Sequence, residues 1–236
     1  MQTISSKIEA INLFNNNTYQ LLLNRHSDVQ YHAGQYLQIV LPDGAKHPFS
    51  IASAPCNSDQ LELHIRATPE STDSLKIEKH FKQVDSLQLE IPLGDCFFTQ
   101  TPNTPLILIA AGTGFTQMKS IAEQCFHWGL QQDVHLYWGN LVSEDIYFQD
   151  EIAKWREQQP RFHVHNVISN PDQCPDWQGR TGLVPHAVLE DFNDLSNTTV
   201  VVSGGPNMVY ATLDLFKQNG LAEGAMRSDI FSYAPR

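Results

Sequence analysis

Apolar and polar positions alternate along the first part of the chain. Residues 60–66 set Leu61, Leu63 and Ile65 against Glu62, His64 and Arg66, the two-residue period of a half-buried strand. Residues 86–91 repeat the pattern with Leu87, Leu89 and Ile91. Residues 7–14 and 18–24 read as two more strands around an Asn15-Asn16-Asn17 turn, and residues 35–41 as another, stopped by Pro42-Asp43-Gly44. Only residues 74–83 break the rhythm, as a short helix carrying Leu75, Ile77 and Phe81. Many short strands with one helix predict a small antiparallel barrel or sandwich.

Near residue 103 the pattern changes. Residues 106–111 form a continuous apolar run, which suits a strand covered on both faces. Gly112-Thr113-Gly114 follows, then Met118, Ile121, Ala122 and Cys125 at helical spacing, with Gly129 as a stop. Strands at 134–138, 162–168 and 199–203 alternate with helices at 146–158, 183–192 and from Pro206 onward; residues 227–233 read as a closing strand. Strand–helix alternation predicts a parallel sheet with helices on both faces.

Composition narrows the class. The 236 residues carry a net charge of −11 with 41% hydrophobic residues, enough to bury a sizeable core and unsuited to a broad grip on nucleic acid or anionic membrane. No run of ~18 apolar residues predicts a membrane span, and the N-terminus lacks the apolar core of a signal peptide. Cys56, Cys96, Cys125 and Cys174 are far apart, so free thiols in a reducing cytoplasm are expected, with neither a disulfide framework nor a cysteine-bound cluster. His163 and His165 share a strand face; a polar face is expected there and no metal.

Four segments offer chemistry. Gly112-Thr113-Gly114-Phe115-Thr116 follows a buried strand and opens a helix, where backbone N–H groups can meet a phosphate; a ligand-free tight turn has the same look, since Gln117 stands where a third glycine completes the dinucleotide fingerprint. Ser203-Gly204-Gly205-Pro206 repeats the arrangement at another strand end. His47-Pro48-Phe49-Ser50 is either a strand-edge turn or a wall for a flat heteroaromatic ligand. The terminal Asp229-Ile230-Phe231-Ser232-Tyr233 either docks the terminus or covers a ligand. Hydrolase and P-loop motifs are absent.

Taken in order, these pieces resemble the ferredoxin–NADP reductase superfamily: His47-Pro48-Phe49-Ser50-Ile51-Ala52-Ser53, Glu62-Leu63-His64-Ile65, Ile91-Pro92-Leu93-Gly94-Asp95, Ala110-Ala111-Gly112-Thr113-Gly114-Phe115, Tyr137-Trp138-Gly139, Gly179-Arg180-Thr181-Gly182 and Gly204-Gly205-Pro206-Asn207-Met208. Within it, the bacterial NAD(P)H-flavin reductases, including those serving luciferase, are the most similar. The resemblance implies two domains: an antiparallel Greek-key β-barrel binding flavin (residues 1–102) and an α/β parallel-sheet nucleotide-binding domain (residues 103–236). It implies flavin contacts from His47, Pro48, Phe49, Ser50, Phe231 and the strand His64, Ile65, Arg66, Ala67. It implies nicotinamide-nucleotide contacts from Gly112, Thr113, Gly114, Phe115, Thr116, Gly204, Gly205, Pro206 and Met208. Ser50, beside flavin N5, and Asp229 are the implied catalytic residues.

The departures shape the expected activity. His47 stands where the family has a phosphate-gripping Arg, and imidazole is a weaker, monodentate contact. FMN, FAD or riboflavin is therefore expected as an exchanging substrate. Asn140-Leu141 stands where an Arg often grips a 2′-phosphate, so NADH is expected ahead of NADPH. Reduced flavin would serve a flavin-dependent monooxygenase, a luciferase or ferric iron. The alternatives are a reductase with tightly bound FAD passing electrons to a protein such as an oxygenase ferredoxin, and a non-enzymatic regulatory subunit of the same fold.

Overall fold

The computed structural model describes residues 1–57 and 59–236. Its first half is a six-stranded antiparallel barrel. Strand β1 (Gln2–Leu13) is longer than its apolar pattern predicts and serves two neighbours. Its first half pairs with β6 (Ser86–Leu93), its second with β2 (Thr18–Asn24), and a bulge between Ile8 and Ala10 bends it from one to the other. Ser6 in this polar stretch is fully buried, and its hydroxyl donates to the Asn24 carbonyl at 2.6 Å.

Strands β3 (Tyr36–Val40), β4 (Lys46–Ser50) and β5 (Gln60–Arg66) complete the order β4-β3-β6-β1-β2-β5. Pro48 sits on the terminal strand β4, where its missing N–H costs no ladder bond. The chain after β4 turns back onto β5, the Ala52 N–H donating to the Glu62 carbonyl at 2.7 Å. Leu21, Leu23, Leu37, Ile39, Leu61, Leu63 and Leu89 fill the barrel, and α1 (Thr72–Gln83) packs Ile77 and Phe81 against them. Ser71 caps α1, accepting from the Ser74 N–H at 3.2 Å.

The second half is a parallel sheet of order β10-β9-β8-β7-β11-β12. Its strands are β7 (Leu106–Ala111), β8 (Val134–Asn140), β9 (Phe162–Ile168), β10 (Arg180–Thr181), β11 (Thr199–Ser203) and β12 (Met226–Arg227). Helices α2 (Phe115–Trp128) and α3 (Gln149–Gln158) cover one face over Leu108, Leu136 and Trp138. Helices α4 (Val184–Asp191) and α5 (Pro206–Gln218) cover the other over Ile109, Tyr137 and Val202.

Two expectations need correction. Helix α3 begins three residues later than its periodicity predicts, because Phe148 adopts a left-handed φ of 62° and Tyr147 turns inward to bury its ring. The closing strand is only Met226–Arg227; residues 230–233 instead form a helical turn, α6 (Ile230–Tyr233). The physical reason is that Ile230 is buried in the core and its neighbour Phe231 packs against that same core, which a turn permits and an alternating strand forbids. No helix among the described residues is long and apolar enough to cross a membrane. All four thiols are free, and no three His, Cys, Asp or Glu side chains among the described residues are grouped to hold a metal ion.

Candidate active site between the barrel and the sheet

Strands β7 and β11 lie side by side and end together, each turning into a helix through a glycine pair. The two turns touch. A Cβ on Gly114 would collide with the Ser203 carbonyl, and one on Gly204 would meet the Met208 sulfur. Both turns face the end of β4, and a cleft of about 430 Å3 lies between them. Phe49, Ser50, Thr113, Gly114, Ser203 and Gly205 are among its walls, so sequence segments some 150 residues apart meet in one place.

The same β4 residues also line a smaller hollow with Tyr36, Gln117, Ser228, Asp229 and Tyr233. Gly94, at φ +86°, leaves room here: a Cβ would stand 2.8 Å from both the Asp229 carboxylate and the Tyr36 ring. Gln117 Nε2 donates to Asp229 Oδ2 at 2.7 Å and to the Gly34 carbonyl at 2.7 Å, tying α2 to the barrel and to the C-terminal turn. Burial pushes the Asp229 carboxyl up to about 6, and the nearby Asp95 charge adds to this against the Gln117 and Cys96 hydrogen bonds.

A third cavity, of about 500 Å3 and largely apolar, continues along the sheet past Gly112, Gly139, Asn140, Leu183 and Met208. Asn140 is 6% exposed, and neither its amide nitrogen nor its oxygen has a hydrogen-bond partner. Unpaired buried amides are costly, so this one is suited to a polar group of a ligand. Arg66 borders this cavity and the central cleft, its guanidinium on Asp145 at 2.7 Å.

The sequence-derived site residues separate into three groups. Pro48, Phe49, Ser50, Arg66, Gly112, Thr113, Gly114, Thr116, Gly204, Gly205, Met208 and Asp229 line these cavities. His64 borders the cleft with both ring nitrogens engaged, Nε2 with Glu62 at 2.9 Å and Nδ1 with the Tyr147 hydroxyl at 3.1 Å. The others stand back. Ile65 points into the barrel core and Ala67 is buried. Phe115 is fully buried and stacks on Trp138, ring centroids 4.2 Å apart. Pro206 takes the first turn of α5, and Phe231 packs on Tyr210 at 5.6 Å. Tyr233, two residues further on, is the C-terminal aromatic that reaches the cleft wall, which Phe49 of β4 also lines. His47 has a buried Nε2 without a partner.

Several wall residues carry no motif. Tyr36 and Ser228 look like ordinary strand and loop positions, and Ser169 and Leu183 are distant in sequence from the glycine turns. Only Gly94, in a Pro-Leu-Gly-Asp turn, marks the need for a bare backbone beside Asp229.

Comparison with known proteins agrees with this two-part fold. An FAD-binding domain family matches residues 3–124, just over half of the chain, and an oxidoreductase NAD-binding domain family matches residues 108–214. An NAD(P)H-flavin reductase of Vibrio harveyi is 34% identical over 98% of this chain and 99% of its own length. A reductase component of a terephthalate 1,2-dioxygenase from Comamonas is 31% identical over 87% of this chain, which spans 61% of that longer protein. Among solved structures, a cytochrome P450 reductase from Amycolatopsis superposes with a TM-score of 0.87 at 26% identity, over 97% of this chain and 69% of that one. A ferredoxin NADP+ reductase from Neisseria gonorrhoeae shares the fold, with a TM-score of 0.77 at 18% identity, over 97% of this chain and 99% of its own. Matched nearly end to end by such a relative and carrying both domain types, the chain belongs to the NAD(P)H-flavin reductases of the ferredoxin–NADP reductase superfamily.

Proposed function

We propose that the protein reduces flavin at the expense of NADH, with flavin entering and leaving as a substrate. The observation that carries the reading is the single cleft in which Ser50 of the barrel faces the two glycine turns of the sheet. Hydride passes from the nicotinamide ring to flavin N5, a chemistry that belongs to the two ligands and not to a protein nucleophile. The chain's part is to bind, orient and shield. Phe49 offers a flat wall, the Ser50 hydroxyl a hydrogen bond toward N5, and the β5 backbone an edge. The turns at residues 112–114 and 203–205 offer N–H groups for the dinucleotide. Asp229, its carboxyl pushed up to about 6 by burial, can take up or release a proton in the smaller hollow beside the cleft.

The flavin phosphate has no Arg at position 47, only an imidazole, which supports exchange over permanent retention. Asn140 and Leu141 line the third cavity, and by the family resemblance they stand where an Arg often grips a 2′-phosphate, which supports NADH ahead of NADPH. We place the junction between the flavin and nucleotide halves at residues 102 and 103, in the connection between β6 and β7. The reduced flavin would then be available to an acceptor such as a flavin-dependent monooxygenase. A second reading, tightly held FAD with electrons passed to a protein, draws support from the dioxygenase reductase component among the relatives. Purified protein mixed with NADH and free FMN or riboflavin should consume NADH catalytically; no consumption with any flavin would overturn the proposal. Protein that stays yellow after desalting would favour the second reading.

A further inference from the structure

A buried ionic cluster joins the two halves beside the cleft. Lys119, on the second turn of α2, is only 3% exposed. Its Nζ donates to Glu62 Oε2 at 2.8 Å, to Glu123 Oε1 at 2.8 Å and to the Ala52 carbonyl at 3.2 Å. Ser120 Oγ donates to the Ser53 carbonyl at 3.0 Å, and the Ala54 N–H donates to Glu123 Oε2 at 3.1 Å. One helix thus bonds three consecutive backbone positions, 52 to 54, that begin two residues beyond Ser50.

The cluster has further partners on the barrel side and on the loop before α3. Glu62 lies on β5, and its Oε1 accepts from Gln20 Nε2 at 2.6 Å and contacts His64 Nε2 at 2.9 Å. The Phe148 ring lies 5.4 Å from the Lys119 ammonium, on the residue whose φ of 62° is left-handed. Burial opposes the ammonium, yet the two carboxylates hold the Lys119 pKa above its usual value.

Such a cluster is a poor source of stability, since buried ion pairs about break even against apolar packing. What a fully satisfied polar network does supply is a single geometry. Here that geometry is the offset between the strap at residues 51–54, which leaves the flavin-side strand, and the helix that starts at the nucleotide turn. We propose that Lys119 is a positioning residue for hydride transfer: by clamping the strap to α2 it sets the separation of the flavin and nicotinamide rings. The inference rests on the flavin-reductase reading. Hydride transfer is steeply sensitive to that separation, and a misplacement of about 1 Å can cost about 10²-fold in rate.

The test compares the wild-type protein, Lys119→Arg, Ser120→Ala and the charge-free triple variant Glu62→Gln/Lys119→Met/Glu123→Gln, which leaves no lone buried charge. Turnover is measured with free FMN and with NADH deuterated at the transferred position. The triple variant is expected to lose about tenfold or more in kcat and to show a raised isotope effect, with KM for NADH near the wild-type value; Lys119→Arg should restore most of the rate. A folded triple variant with wild-type kcat and isotope effect overturns the clamp while leaving the flavin-reductase reading intact. Should the triple variant fail to fold, Ser120→Ala decides: a raised isotope effect supports the clamp, and an unchanged one overturns it. A wild-type protein inactive with every flavin overturns both readings together.

Discussion

Ser50 ends β4 at the wall shared by the central cleft and the smaller hollow. On the proposed reading a hydroxyl there would offer one hydrogen bond to a developing charge, so its loss should cost less than the ~10²-fold of deleting a full oxyanion-hole donor. Ser50→Ala is expected to lower kcat about tenfold with little change in KM for NADH. Equal turnover in steady-state assays would remove Ser50 from the chemistry. Asp229 makes a pH prediction. Its folded pKa of about 6 lies above the ordinary 3.8, chiefly through burial. Between pH about 4 and 6 the unfolded chain has released this proton while the folded chain keeps it. Stability from this group is therefore full at low pH and declines as pH rises through that window. Asp229→Asn should flatten the slope in urea unfolding over pH 4 to 6 and remove an inflection near 6 from the kcat/KM profile, which reports groups of the free enzyme. A profile unchanged by the substitution would place the inflection on another group.

Helix α2 starts where β7 and β11 end, and its N-terminus fits there only because Gly114 lacks a side chain. The obstacle to a Cβ is the Ser203 backbone carbonyl, which cannot rotate away as a side chain can. Gly114→Ala is thus expected to cost about 1–3 kcal/mol, as overpacking does, and to raise KM for NADH more than KM for flavin. Urea unfolding and steady-state kinetics check both halves of that statement. The elements themselves were largely legible: residues 18–24, 60–66, 106–111, 162–168 and 199–203 form strands with the bounds their periodicity indicates. Alternation and unbroken apolar runs report burial directly, so they survive without knowledge of partners. The first half of β1 escaped because Thr3, Ser5 and Ser6 carry no apolar alternation, and pairing with β6 alone makes it a strand. The last turn escaped because Ile230 and Phe231 answer to packing against the core beside α5, a contact outside their own local pattern. The site behaved alike. Its glycine turns and Phe49-Ser50 carry local signatures, whereas Lys119 reads as a helix-surface residue until Glu62 and the strap are packed against it.

The charge of the whole molecule bears on how its ligands arrive. Residues 1–102 hold 7 Lys+Arg against 11 Asp+Glu, a net of −4, and residues 103–236 hold 8 against 15, a net of −7. The half matched by the NAD-binding family is the more acidic, so on the proposed reading its hold on a dinucleotide would come from backbone N–H groups and helix ends rather than from a basic surface. A phosphate monoester carries about −1.5 to −2 at neutral pH, and riboflavin carries none. FMN therefore approaches a like-charged protein, whereas riboflavin meets no such field. Raising ionic strength shortens the screening length from ~30 Å at 0.01 M to ~8 Å at 0.15 M, which removes the repulsion between separated charges. With NADH saturating, KM for FMN should fall as salt rises over that range, while KM for riboflavin stays nearly flat. A guanidinium gripping the phosphate would give the opposite trend, because salt would then weaken the contact. Arg66 is the guanidinium that borders the cleft, and it is already paired with Asp145. A KM for FMN that climbs with salt would show that Arg66 leaves Asp145 for the flavin phosphate. Loss of that climb in Arg66→Gln would confirm the exchange of partners.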